Sequence, residues 1–395
     1  MTAPADRAGE LLAGIRVIDV SHVIAGPTAG YYLARQGADV IKLEEPVHGD
    51  VLRHGSLVVD DGVSVGFAAI NAGKRALALD LKDPAAVERV LQLAAEADVF
   101  IENFRPGVIA RLGLDYERVR ARNPDIVYAS ISGYGQEGSW SSRGAYDHVV
   151  QALTGMMALQ GDEGTPPMKV GFPVVDAAAG MMGAQAILAA LLARERGGGG
   201  AYLDVSMAQA ALHLMLSTAV QAAFDGRDRL RPGNRGFSGS PGAATFRCAD
   251  GWIATAANTA AQFRRFCELL DIADVLDDAR LLDPEALRIG AGFVAPRDPV
   301  ALQARIEAAV ARHGAADLEA RLNAADVPCA RVRTVAEFVA EYAEGGLVTA
   351  PASRVEYPGG TVLDLGPGFK RDRRAPAAPA RAPRHGERDL AWRAR

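Results

Sequence analysis

Cysteine is scarce: only Cys248, Cys267 and Cys329 occur in 395 residues. They stand far apart, so the pattern offers neither a disulfide framework nor a C-x-x-C zinc or redox pair. Charge of one sign is not in excess either. Lys and Arg number 43 against 48 Asp and Glu, a net charge of −5. That excludes a wholesale electrostatic footprint for nucleic acid. The first ten residues lack the apolar core of a signal peptide, and no apolar run reaches the roughly 18 residues that span a bilayer. The most apolar helical stretch, 177–193, is rich in Ala and Gly and reads as a buried helix. What remains is 49% hydrophobic and 23% charged, long enough to bury a large core. The expectation is an enzyme of a reducing, cytoplasmic compartment, without a nucleic-acid or membrane partner and without a metal.

Short β-branched runs alternate with longer helical patterns over the first 210 residues or so. Strands are expected at 15–20, 39–44, 77–81, 99–102, 126–132 and 203–205. Helices are expected at 27–36, 83–97, 107–112, 146–157 and 177–194. Asp83 with Pro84 reads as a helix start, and Val87, Val90, Leu91 and Ala94 recur at helical spacing. Such alternation predicts an α/β fold with a mostly parallel sheet covered on both faces. After about residue 225 the character changes. A Gly-, Arg- and Ser-rich stretch without periodicity leads to a strand at 252–257 and helices near 260–271, 300–312 and 316–325, a second, smaller α/β domain. From Pro351 onward Pro, Ala, Arg and Gly dominate, and 376–383 reads as extended or disordered.

The first strand runs through Ser21, His22, Val23, Ile24, Ala25 and Gly26 into a helix. A strand-to-helix turn at the carboxyl edge of a parallel sheet is the usual ligand crevice, and a helix N-terminus favours anions. A G-x-G-x-x-G fingerprint is absent here, which weighs against a dehydrogenase. Arg53, Lys74, Arg75, Lys82, Arg105 and Arg111 flank predicted strands beside Leu79 and Phe104. Cations beside apolar walls suit a ligand that carries phosphates and an adenine ring. Among acid–base candidates, Asp147 follows Tyr146 at a helix start and suits an N-terminal charge. Asp176 lies between an apolar run and small residues at the start of a buried helix. It reads equally as a plain N-cap and as a poorly hydrated nucleophile facing free backbone N–H groups.

In this order the motifs resemble the class III (CaiB/BaiF-type) CoA-transferases, the group that contains formyl-CoA transferase, carnitine CoA-transferase and α-methylacyl-CoA racemase. The resemblance covers nearly the whole chain. It is carried by Leu12-Ala13-Gly14-Ile15-Arg16-Val17-Ile18-Asp19, Ala25-Gly26-Pro27, Gly37-Ala38-Asp39-Val40-Ile41-Lys42-Leu43-Glu44 and Lys74-Arg75 with Leu79-Asp80-Leu81-Lys82. Glu102-Asn103-Phe104-Arg105-Pro106-Gly107, Ile131-Ser132-Gly133-Tyr134-Gly135 and Asp204-Val205-Ser206 complete it.

The resemblance implies a Rossmann-like large domain built from both chain ends, an inserted smaller α/β domain, and an interlocked homodimer. The corresponding boundaries are 1–224 and 333–395 for the large domain with its C-terminal tail, and 225–332 for the small one. It implies that Asp176 is the nucleophile, moving CoA from an acyl-CoA donor to a carboxylic acid acceptor through an aspartyl anhydride and an aspartyl-CoA thioester. Coenzyme A contacts are implied at His22, Val23, Ala25, Arg53, Leu79, Lys82, Asn103, Phe104 and Arg111, and catalytic roles at Tyr146 and Asp147. A lid loop is implied at Gly236, Ser238, Gly239 and Ser240. Glu45-Pro46 and Gly144 depart from the basic residues that formyl-CoA transferase carries there. Racemases of the family have His where this chain has Tyr146, so α-proton exchange of a 2-methylacyl-CoA is the alternative activity. Tyrosine, with a reference pKa near 10, is a poor base at neutral pH.

Overall fold

The computed structural model describes residues 10–229, 231–287, 292–343, 352–374, 377–386 and 391–393. The chain divides into two compact units, one of 1–157, 169–227 and 342–395, the other of 158–168 and 228–341.

Among the described residues of the first unit, six strands form one parallel sheet: β1 (Arg16–Asp19), β2 (Asp39–Glu44), β3 (Arg75–Ala78), β4 (Val99–Glu102), β5 (Val127–Ser132) and β6 (Ala201–Ser206). Their spatial order is β3-β2-β1-β4-β5-β6. Successive side chains leave a strand on opposite faces. Val17, Val40, Val99, Ile101, Val127 and Ile131 join one core cluster, whereas Ile18, Ile41, Leu43, Phe100 and Tyr128 join another. The sheet is covered on both faces, so β2 is buried throughout, and its charged residues Asp39, Lys42 and Glu44 are each paired inside.

Helix α1 (Ala25–Ala34) and the long helix α4 (Val174–Glu195) cover the first face. Helix α2 (Pro84–Ala94) covers the other, with Asp83 capping it through the Ala85 N–H at 2.9 Å. Between them in sequence, the short helix α3 (Asp147–Leu153) contributes Val150 to the first cluster. By length and composition α4 could cross a bilayer; here Val175, Ala179, Gly180, Gly183, Ile187 and Leu191 pack it onto α1 and the sheet. The contact is close enough to require glycine. A Cβ on Gly180 would lie 2.6 Å from the Ala25 carbonyl oxygen and 2.6 Å from Thr28 Cβ.

Among the departures from expectation are these three. Helix α4 begins at Val174, ahead of Asp176. Two helices, Met207–Leu214 and Leu216–Asp225, follow β6 where none is expected. The stretch after Pro351 is also more ordered than its composition implies. Ser353–Tyr357 and Gly360–Asp364 form an antiparallel hairpin whose Val355, Tyr357 and Val362 pack with Val59, Val63 and Phe67. Those partners are remote in sequence, so local composition gives no sign of them. Pro376, in the segment read as extended, lies outside the described residues.

The second unit has its own core. An antiparallel sheet of Thr245–Arg247, Trp252–Thr255 and Cys329–Arg331 packs with helices Ala260–Leu269, Pro299–Val310 and Ala315–Ala324. Phe246, Ile253, Phe263, Phe266, Leu302 and Leu318 fill it.

Candidate active site

The sheet order reverses between β1 and β4, and at such a switch point the loops leaving the two strands part to form a crevice. Ser21–Gly26 leaves β1, and Asn103 with Phe104 leaves β4. The two loops are tied reciprocally: the His22 N–H donates to Asn103 Oδ1 at 2.9 Å, and Asn103 Nδ2 donates to the His22 carbonyl at 2.7 Å. The His22 and Phe104 rings lie 5.1 Å apart. Val23 sits in the left-handed region at φ 65°, strained for a β-branched residue, and its N–H is held by the Asp50 carboxylate at 3.2 Å. Gly26 lets the chain turn back, since a Cβ there would overlap Ser21 Cβ at 2.2 Å. Thus His22, Val23, Ala25, Asn103 and Phe104 come together where the loops leave β1 and β4. Leu79 and Phe104 both pack against the second core cluster. Lys82 and Arg111 are exposed, and Arg111 lies over the turn at Gly107.

The six-cation set splits in two. Arg53 is buried, not a free phosphate contact. Its Nε and Nη2 bind the Glu44 carboxylate at 2.7 and 2.6 Å, its Nη1 donates to the Gly62 and Pro383 carbonyls, and its guanidinium stacks on Phe67. Arg75 pairs with Asp39 at 2.6 Å. Lys74 pairs with Asp19 at 2.8 Å and donates to the Pro27 carbonyl. Burial pulls the Lys74 ammonium down to about 8, against the attraction of Asp19. Lys42, also fully buried, pairs with Asp50 at 2.9 Å and donates to the Ser21 carbonyl at 2.7 Å. The Lys74–Asp19 and Lys42–Asp50 pairs hold the β1 turn through the Pro27 and Ser21 carbonyls and the Val23 N–H, whereas Arg75–Asp39 lies at the opposite, amino end of the sheet. Sequence reasoning missed Lys42, Asp50 and Asp19 as a framework. The available signal is Lys42 itself, a cation inside a wholly buried strand, which demands a buried counter-ion.

Asp176 occupies the third position of α4, one helical turn before Gly180, the residue that packs on Ala25 and Thr28. It is not the N-cap of that helix. Asp147 does the capping: its Oδ2 accepts the Val175 N–H at 2.7 Å and the Asp176 N–H at 3.1 Å. Its Oδ1 accepts from Gln151 Nε2, and Gln151 Oε1 in turn accepts the Val170 N–H at 2.9 Å. Pro173 precedes the helix without an N–H, and the Val174 N–H goes to the Phe172 carbonyl. The first-turn N–H groups expected to be free are therefore all taken. Among the described residues the Asp176 carboxyl itself accepts no hydrogen bond. Burial first, and the Asp147 charge second, push it up to about 7. Tyr146, at the N-cap of α3, is 65% exposed with no capping bond from its side chain.

The loop Gly236–Pro241 belongs to the second unit. Ser238 Oγ bonds Asn258 Oδ1, Ser240 Oγ bonds the Ala257 carbonyl at 2.8 Å, and the Gly236 and Gly239 N–H groups are bonded locally. Gly239 takes a positive φ of 69°. Phe237 is 94% exposed, edge-on to Phe293. The N–H groups of Phe237 and Ser238 have no partner among the described residues.

Residues 12–389 match the family described as CoA-transferase family III. A succinate–glutarate CoA-transferase from Agrobacterium fabrum is 39% identical over 275 residues, 68% of either chain. The acetyl-CoA:oxalate CoA-transferase of Acetobacter aceti is 35% identical over 338 residues, 85% of this chain and 84% of that one. The human succinyl-CoA:glutarate CoA-transferase is 34% identical over 269 residues, which span 68% of this chain but only 61% of that protein. A solved CaiB/BaiF family protein from Brucella suis is 29% identical, with a TM-score of 0.82 over 95% of this chain and 97% of that chain. The motif order, the parallel sheet and these matches agree: the chain belongs to CoA-transferase family III.

Proposed function

We propose that this protein is an acyl-CoA:carboxylate CoA-transferase in which Asp176 is the nucleophile. The observation that carries the reading is the Asp176 carboxyl, held by its backbone beside the switch-point crevice, with no hydrogen bond to quench it and a proton affinity raised towards neutrality. The ionised carboxylate attacks the donor thioester carbonyl. The C–S bond breaks, leaving an aspartyl mixed anhydride and CoA thiolate. The thiolate then attacks the aspartyl carbonyl, releasing the donor acid and leaving an aspartyl-CoA thioester. The acceptor carboxylate attacks that thioester to form a second anhydride, and the returning thiolate takes the acceptor acyl group and frees Asp176.

Each addition creates an oxyanion that needs N–H donors. The first turn of α4 has none to offer, because Asp147 holds two of its N–H groups. On the resemblance alone we assign the lid role to loop 236–241. His22, Val23, Ala25, Asn103 and Phe104 are assigned to coenzyme A, with Leu79 as an apolar wall and Lys82 and Arg111 as the exposed cations for its phosphates. Asp147 is assigned to positioning, not to contact with substrate. A homodimer is part of this reading. The three curated relatives named above act on succinate, succinyl-CoA, glutarate or oxalate by their names, which supports a short dicarboxylic acid as one substrate.

The test is a trap. The protein is incubated with succinyl-CoA and a panel of other acyl-CoAs, quenched with hydroxylamine or borohydride, and digested. A hydroxamate or reduced product on the Asp176 peptide is expected. An unmodified peptide across the panel, with α-proton exchange into deuterated water in the absence of acceptor, would overturn the transferase reading in favour of the racemase one.

A further inference from the structure

Glu102 ends β4 directly before Asn103 and Phe104 and is 1% exposed. Its Oε2 accepts the Phe104 N–H at 2.8 Å. Its Oε1 is sealed from water and, among the described residues, meets no donor in hydrogen-bond geometry. The neighbouring strands bring Tyr128 and Ser130 from β5, and Tyr202 and Asp204 from β6. The Tyr202 hydroxyl donates to Ser130 Oγ at 3.3 Å, and Asp204 accepts the Gln136 N–H at 2.8 Å. Among the described residues no cation stands with the groups that act on Glu102. Burial pushes its carboxyl up to about 7, the Asp204 charge adds to that, and the Ser130 hydroxyl and Phe104 N–H act against it.

Fixing the Phe104 N–H does not by itself need an acid, since an amide oxygen would accept the same bond. A buried acid without a counter-ion is a costly choice for a purely structural task. The distinguishing property is that it can gain or lose a charge directly beneath the crevice.

We propose that Glu102 is a positioning residue whose protonation sets how firmly the Asn103–Phe104 turn holds coenzyme A. The inference rests on the reading of that turn as part of the coenzyme A site. Neutral, Glu102 supplies the acceptor for Phe104 and adds no charge. Ionised, it places an unscreened negative charge beneath a site that receives a polyanion, where the low dielectric carries its repulsion. Binding and protonation are then reciprocally linked: coenzyme A favours the protonated acid, and loss of the proton weakens coenzyme A.

The experiment is calorimetric titration of coenzyme A alone into the full chain, from about pH 6 to about pH 8.5, either side of the Glu102 transition. Wild-type affinity is expected to fall roughly tenfold relative to Glu102→Gln, the effect of one pKa unit of coupling. Glu102→Gln keeps the acceptor but cannot ionise. Repeating the titrations in buffers of different ionisation enthalpy should show more proton uptake on binding by wild type than by Glu102→Gln, a readout that a merely structural role would not move. Glu102→Leu, which loses the acceptor, is expected to bind more weakly at every pH; Glu102→Gln carries the test however Glu102→Leu folds. Superimposable pH profiles and equal proton uptake in wild type and Glu102→Gln would overturn the proposal while leaving coenzyme A binding intact. No coenzyme A binding by wild type at any pH would overturn the proposed function, and this inference with it.

Discussion

Replacing Asp176 by Asn should make the protein more stable above neutral pH while abolishing transfer. Burial and the Asp147 charge push the folded carboxyl up to about 7, from an ordinary 3.8. Between those values the folded state keeps a proton that the unfolded state has lost. Stability therefore falls as pH rises through this window and levels off above about 7. An asparagine titrates in neither state, so the difference between variant and wild type should be absent below the lower value and largest above the upper one. A shift of about three units corresponds to an upper bound of about 4 kcal/mol. Two effects reduce it. The side chain is only partly buried, so water screens part of the penalty. The α4 N-terminus also favours the charged form by about 0.5–1 kcal/mol. A net gain of about 2 kcal/mol remains for Asp176→Asn. Urea denaturation at a series of pH values measures it, and a difference that stays constant across the series would refute the view that Asp176 is a desolvated, unpartnered carboxyl. On the proposed mechanism the same ionisation should make the transferase rate rise with pH through about 7 in the wild type, because only the carboxylate would attack.

Three further outcomes follow from the surroundings of this site. Asp147→Asn leaves one oxygen for the α4 N–H groups and turns an amide donor towards Gln151, so either Gln151 or the Val170 N–H loses its partner; a loss of about 1–3 kcal/mol is expected by denaturation, with the acid limb of the rate profile moved to lower pH. Gly180→Ala drives a methyl to 2.6 Å from the Ala25 carbonyl oxygen, a backbone atom that cannot swing away; about 1–3 kcal/mol of stability should be lost, together with coenzyme A affinity, since Ala25 belongs to the crevice. Lys74→Met strands Asp19 without its buried partner; a cost of about 3–5 kcal/mol is expected, and Asp19→Asn in the same chain should recover part of it.

Much of the fold is legible along the chain because strand burial is a local, two-residue periodicity. β2 and β4 carry apolar side chains towards both core clusters, and their limits are those that the pattern predicts. Asp83 with Pro84 announces α2 for an equally local reason. Asp176 is visible as a candidate because a carboxylate between an apolar run and a string of small residues is unusual. The Ser353–Tyr357 and Gly360–Asp364 hairpin is not visible, because the side chains that bury it, Phe67 and Val63, lie far earlier in the chain.

By itself the sequence determined the alternation of strand and helix, the parallel sheet and the turn that opens the crevice, all of which follow from short-range periodicity and turn chemistry. Only the tertiary structure decided the roles of the charges. Arg53, Lys74 and Arg75 look like Lys82 and Arg111 on paper, yet the first three are buried in ion pairs with Glu44, Asp19 and Asp39. Asp147 and Asp176 are both acids near a helix start, yet one caps the helix and the other is left unpartnered. A charged group's chemistry depends on how deeply it is buried and on what stands within hydrogen-bond reach, and both are set by residues brought together from distant parts of the chain.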